Sequence, residues 1–188
     1  MTAVDVRQHQ ADYGYDGDYR AIPAPAVAGI TAATSAALLA SAARSLVRRK
    51  PVAAAVTGAS AAALVTTATL FIRTTRVGKF EVWADILKNL RLRGDETLLD
   101  MGCGRGAVLL AAAKLLPNGR ATGVDIWRAD QTNNAEHNTL RNAEIEGVAD
   151  RIEVRTADIT DLPFDDDSFD VIVSSLVVHN IPGAEARA

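Results

Sequence analysis

The sequence predicts an α/β fold, a parallel sheet of about four strands preceded by an α-helical hairpin. Three observations carry this. From residue 73 onward, apolar runs of strand length alternate with helical patterns, the order of a parallel sheet with crossover helices. The first of these runs, Leu98-Leu99-Asp100-Met101, passes through Gly102-Cys103-Gly104-Arg105-Gly106 straight into a helical pattern, as a strand, tight turn and helix that faces a ligand with its first turn. Ahead of it lie two uncharged stretches of more than 20 residues each, Arg20 to Arg44 and Lys50 to Arg73, separated by Arg44, Arg48, Arg49 and Lys50.

In chain order, residues 1–20 are polar, with Asp12, Asp16 and Asp18 among tyrosines and glycines, and read as a poorly ordered tail. Residues 21–72 read as two membrane helices near 24–43 and 52–72, each long enough for a hydrocarbon core of about 30 Å. Small residues at four-residue spacing, Gly29, Ala33 and Ala37 in the first and Gly58 and Ala62 in the second, would let them approach closely. A soluble alanine-rich hairpin is the alternative, but neither run has a polar face. A cleaved signal peptide fits less well because the preceding residues are acidic. With the following domain on the cytoplasmic side of a cell membrane, a spanning hairpin puts the basic turn outside, against the positive-inside tendency; a hairpin dipping into one leaflet, or a first segment that does not span, removes the conflict.

Residues 73–188 read as the globular part. Lys79–Leu92 carries a helical stripe of Phe80, Trp83, Leu87 and Leu90, closed by Gly94. Strands follow at 97–101, 121–125, 151–156 and 169–175. The helices between them are expected at 107–116, stopped by Pro117-Asn118-Gly119, and at 134–146, with Gly147 just past its end.

The 188 residues suit one modest domain with added segments, and a formal charge of −3 lacks the basic surplus of a nucleic-acid binder. Cys103 is the only cysteine, so neither an internal disulfide nor a cysteine zinc site can form, and no metal site is read; its plainest role is a small residue in a tight turn.

The strand ends carry the chemistry. Gly102, Gly104 and Ala107 also satisfy G-x-G-x-x-G/A, a weak signal by itself. Asp100 just ahead of the loop would repel a pyrophosphate and favour a ligand bearing a cation or hydroxyls. Asp125, 19 residues after Gly106, ends the second strand where a carboxylate accepts from ribose hydroxyls; a helix-capping acid in the following loop is the alternative. Ile126 and Trp127 follow and could pack on a purine face. Asp158, after the third strand, could accept from an exocyclic amine or be a solvated loop acid.

Taken together, Leu98–Gly106, Gly123-Val124-Asp125, Ala157–Phe164 and Ser168–Ser175 resemble the class I S-adenosylmethionine-dependent methyltransferases, most of all the small-molecule branch related to ubiquinone and menaquinone biosynthesis. The resemblance spans about residues 78–183. It implies an incomplete Rossmann-like sheet binding S-adenosyl-L-methionine. Asp100, Gly102, Cys103, Gly104 and Gly106 would lie at the methionine end, Asp125 on ribose, Ile126 and Trp127 beside adenine, and Asp158 and Ile159 at the adenine edge. Ser174 and Val177-Val178-His179-Asn180 would border a small or lipid-like methyl acceptor. His179 is the one candidate base, needed only if the acceptor must lose a proton. Family sheets have seven strands, so four imply a chain cut short after the fourth, or a second chain completing an apolar sheet edge. A non-catalytic cofactor-binding relic and a nicotinamide-dependent oxidoreductase are the competing readings.

Overall fold

A computed structural model describes residues 5–17, 22–181 and 183. Helix α1 (Ala24–Val47) starts with a proline in its first turn, and α2 (Pro51–Arg73) starts on Pro51 itself, both suited to a position whose N–H has no helical partner. Arg49, in the left-handed region at φ 54°, makes the reversal between them. The second helix runs on through a π-helical turn, Thr74–Gly78, into α3 (Lys79–Leu90).

The seam between α1 and α2 is not the one expected. Thr31, Ser35, Leu38, Ala42 and Ser45 face Ala54, Thr57, Gly58, Ala61, Leu64 and Ala68, at the alternating three- and four-residue spacing of a coiled-coil contact. Gly58 belongs to it: a Cβ there would lie 3.9 Å from that of Ala42. Gly29, Ala33, Ala37 and Ala62 face outward. The expected stripe kept strict four-residue steps, which drift off the facing helix after two turns. Small and hydroxylic residues with Leu38 and Leu64 thus line the inside of the hairpin, while Ile30, Leu39, Val52, Val56, Val65, Leu70 and Phe71 are exposed. Both helices are long and apolar enough to cross a membrane, which is weak evidence by itself.

Residues 5–17 are not a loose tail. Val6, Ala11 and Tyr13 are buried in the core, the His9 ring stacks on Phe80 at 3.9 Å between centroids, and residues 15–17 run antiparallel to 130–132. Composition hides this because the anchoring groups are few apolar side chains and many backbone bonds.

Strands β1 (Thr97–Met101), β2 (Arg120–Asp125), β3 (Ile152–Thr156) and β4 (Val171–Ser174) form a parallel sheet in the order β3-β2-β1-β4. Helix α4 (Ala107–Lys114), buried along most of its length, packs on β1 and β2 and against α3, and α5 (Glu136–Glu146) packs beside β3. Leu98, Leu99, Leu109, Leu110, Leu116 and Val124 are almost wholly buried at the centre. From β1 the chain continues to one side as β2 and returns on the other as β4, and this reversal opens a crevice at the C-terminal ends of the strands. The fourth strand starts two residues later than expected, because the Asp170 carboxylate turns back to accept from the Thr97 N–H (2.8 Å) and hydroxyl (2.9 Å).

Candidate functional site

The turn after β1 forms the floor of the crevice. The N–H groups of Gly102 and Cys103 both donate to the carbonyl of Val124, at 2.8 and 3.0 Å, which folds the turn over the end of β2. Gly102 sits at φ 75°, where a side chain is strained, and a Cβ there would come within 2.6 Å of Val177. The missing side chain is what lets Val177 pack directly on the turn.

Above it is a cavity of about 390 Å³, bordered by Asp100, Gly102, Cys103, Gly104, Phe80 and Trp83. A smaller chamber of about 180 Å³ holds Ile126, Asp158 and Ile159. The two share Gly102, Asp125, Asp130, Val177 and Asn180, so they are the halves of one cleft with Asp125 on the divide.

Asp100 is buried, and its Oδ1 has no hydrogen-bond partner. Burial pushes its carboxyl up to about 7, with the nearby Asp125 charge adding to the rise and the Leu109 N–H opposing it. Asp125 is engaged on both oxygens. Oδ2 accepts from the Gly104 N–H at 2.9 Å, while Oδ1 accepts from the Trp127 N–H at 2.6 Å and from the Asn134 amide at 3.3 Å. Burial, then the charge on Asp125, raises Asp130 above the usual carboxylate range. Burial also pushes the Cys103 thiol up, so it is no nucleophile at neutral pH. A buried acid with an orphan oxygen, bordering a chamber of this size beside a glycine turn, suits a cationic ligand group.

A family model for a methyltransferase domain matches residues 99–187. Residues 99–187 are a class I S-adenosylmethionine-dependent methyltransferase domain. Among curated relatives, the U6 snRNA (guanine-N(2))-methyltransferase THUMPD2 of Bos taurus is 29% identical over 106 residues, covering 56% of this chain and 20% of its own length. The probable cobalt-precorrin-6B C(15)-methyltransferase (decarboxylating) of Pyrobaculum calidifontis is 40% identical over 74 residues, covering 39% and 36%. The demethylmenaquinone methyltransferase of Lactobacillus johnsonii is 29% identical over 101 residues, covering 52% and 38%. The chain thus spans well under half the length of these relatives, whose names place the methyl group on an RNA base, a corrinoid precursor and a quinone precursor.

Within the methyltransferase domain, the structure gathers most of the residues singled out from sequence. Asp100, Cys103, Gly104 and His179 border the larger chamber, Ile126, Asp158 and Ile159 the smaller, and Gly102 and Asp125 both. Asp158 is exposed and also closes its own turn, accepting from the Thr160 N–H (2.9 Å) and hydroxyl (2.8 Å); those bonds hold its carboxyl below the usual range. Three residues lie elsewhere. Gly106 precedes α4 and packs toward Leu110 and Thr139. Trp127, at φ 58°, turns its ring N–H to the Thr156 hydroxyl at 2.7 Å and borders neither chamber. Ser174 donates to the Met101 carbonyl at 3.1 Å; its neighbour Ser175 is the one in the cleft, accepting from the Trp83 ring at 3.0 Å.

The cleft also contains residues that sequence reasoning missed as site residues. Phe80 and Trp83 read as a core stripe, which they are, but they also border the larger chamber with Lys79. Asp130, Gln131 and Asn134 come from the loop after β2, and Asp16 from the N-terminal segment. Only the stripe had a sequence signal.

Proposed function

We propose that this chain binds S-adenosyl-L-methionine across both chambers and transfers its methyl group to a small or lipophilic acceptor while the hairpin holds the domain at a membrane. The observation that carries the cofactor pose is Asp100, its Oδ1 without a hydrogen-bond partner, bordering the larger chamber together with the glycine turn. It suits the ammonium of the methionine end. Asp125 then faces ribose, Ile126 and Ile159 flank adenine, and Asp158 lies at its edge. Bound there, the cofactor supplies a methyl group on a sulfonium. The chain contributes alignment: Asp100 and Gly102–Gly104 fix one end, Asp125 the middle, and Phe80, Trp83, Ser175 and Val177 shape the space beside it. Holding donor and acceptor in line can supply about 7–11 kcal/mol of the barrier. His179, exposed on the loop after β4, is the one imidazole bordering the cleft and serves as a base where the acceptor must lose a proton.

The membrane reading is supported by the outer face of the hairpin, where Ile30, Leu39, Val52, Val56, Val65, Leu70 and Phe71 are exposed. The Thr31, Ser35, Thr57, Ser60 and Thr69 hydroxyls each donate to the carbonyl four residues back, which suits surroundings without water. The acceptor reading is tested by incubating the full chain in phospholipid vesicles with methyl-labelled cofactor and a membrane lipid extract. Label in the organic phase supports a lipophilic acceptor. Label confined to water-soluble products removes it, and absence of both labelled product and S-adenosylhomocysteine counts for the non-catalytic reading.

A further inference from the structure

The N-terminal segment reaches the cofactor loop through one side chain. Gln131 accepts from the backbone N–H of Arg105, inside the glycine turn, with its Oε1 at 3.0 Å. Its Nε2 donates to the Tyr13 carbonyl at 3.1 Å and to Asp16 Oδ1 at 3.2 Å. The amide is used from both ends, so neither a carboxylate nor an ammonium can replace it. The fit is close: a Cβ on Gly104 would come within 2.7 Å of Oε1. Around this side chain, the Gly17 N–H donates to the Asp130 carbonyl (2.6 Å), and the Thr132 N–H to that of Tyr15 (2.9 Å). Asp16 itself pairs with Lys79 at 3.3 Å, and both border the larger chamber. A second tie runs parallel, as Asp12 pairs with Arg76 at 2.8 Å and approaches Arg105 at 3.7 Å.

We propose that Gln131 is a positioning residue for the cofactor loop, and that residues 12–17 are a strap that sets it through Asp16. The inference rests on the cofactor reading above. A loop held by the strap is ordered before the ligand arrives, so the strap raises affinity, and by linkage the ligand must tighten the strap to the same degree. Without the strap, Gln131 loses the partners of its Nε2 and can rotate away from the Arg105 N–H.

The test uses the full chain with S-adenosylhomocysteine as the probe. Two variants separate the parts. Q131E keeps an acceptor for the Arg105 N–H but cannot donate to Tyr13 and sets a second negative charge beside Asp16. D16A removes the strap's carboxylate and leaves Gln131 intact. Calorimetry should show affinity reduced about fivefold or more in each, with D16N, which keeps an acceptor oxygen, recovering most of it. Hydrogen exchange at Tyr15 and Gly17 should slow on adding the probe to the wild type and respond far less in Q131E. A merely structural role would lower the melting temperature without changing that ligand response. Variants that bind as tightly as the wild type, or exchange at 15–17 that ignores the ligand, overturn the strap while leaving the cofactor reading in place. A folded wild type that does not bind the probe overturns both.

Discussion

The Asp125 carboxylate holds the backbone N–H of Gly104 at 2.9 Å, joining the end of β2 to the glycine turn after β1. One side chain thus faces the cleft and braces the loop beneath it. Asp125→Ala frees the N–H groups of Gly104 and Trp127 and the Asn134 amide, and removes three charge-assisted bonds. A loss of about 2 kcal/mol or more in unfolding free energy is expected, together with weaker binding of S-adenosylhomocysteine. Asp125→Asn should lose less stability. A folded alanine variant with unchanged affinity would remove Asp125 from the ribose role.

Asp100 should give the ligand-free protein an unusual pH dependence. Its folded carboxyl is raised to about 7, against about 4 in an unfolded chain. The native state therefore holds the proton more tightly, and stability from this group is full below about pH 4 and lost as pH rises to about 7. Binding a cation beside Oδ1 requires the ionised form, so cofactor affinity should climb over the same interval and level off above it. Asp100→Asn should flatten both profiles. Calorimetry and thermal melts from pH 5 to 8 check this; an affinity that is flat in the wild type would mean that Asp100 does not meet the ammonium.

Much of the sheet was legible because each strand is a short apolar run between turn signals, and strand tips fall where acids and glycines interrupt them. Asp100, Asp125 and Asp158 were readable for that reason. Long-range geometry was not. Ser174 and Ser175 differ only by the strand's alternation, and their order depends on where β4 starts, which Asp170 sets by turning back to Thr97. Trp127 reads as an aromatic wall, yet its left-handed backbone sends the ring to Thr156. The strap was least legible: its carbonyls, N–H groups and Asp16 find partners in residues 130–132 and Lys79, and no local pattern announces such pairing.

The apolar outer face of the hairpin makes a prediction that separates lipid from water. Leu39 and Val65 are exposed on the outer face, near the middle of α1 and α2. If that face meets acyl chains, Leu39→Lys and Val65→Lys should each cost about 2.5–3.5 kcal/mol of insertion and shift the chain away from phosphatidylcholine–phosphatidylglycerol vesicles in a flotation gradient. Ala33→Leu, outward but apolar, should float like the wild type. A wild-type chain that remains monodisperse without detergent and stays at the bottom of the gradient would make the hairpin a water-exposed coil.

Glu146, at the end of α5, is the anchor of the N-terminal segment. Its side chain is 1% exposed and pairs with Lys114 at 2.7 Å through Oε2, while Oε1 accepts from the N–H groups of Gln10 and Ala11 and from the Tyr13 hydroxyl. Burial alone would raise its carboxyl, but the ammonium and the two N–H donors outweigh it and hold it below the ordinary range. Its stabilisation is therefore present above the unfolded carboxyl value and lost as pH falls through the lower folded one, opposite in sign to Asp100. Glu146→Ala leaves Lys114 and three donors without their acceptor, a change of about 3 kcal/mol for a broken buried pair. The loss should concentrate in residues 5–17, because the sheet makes none of these bonds. Trypsin reports it directly: Arg7 lies in that segment, and cleavage after it should speed up in the variant while sites in α5 and the sheet stay protected. Equal cleavage at Arg7 in both proteins would mean that the segment is held by its apolar contacts with Phe80 and not by Glu146.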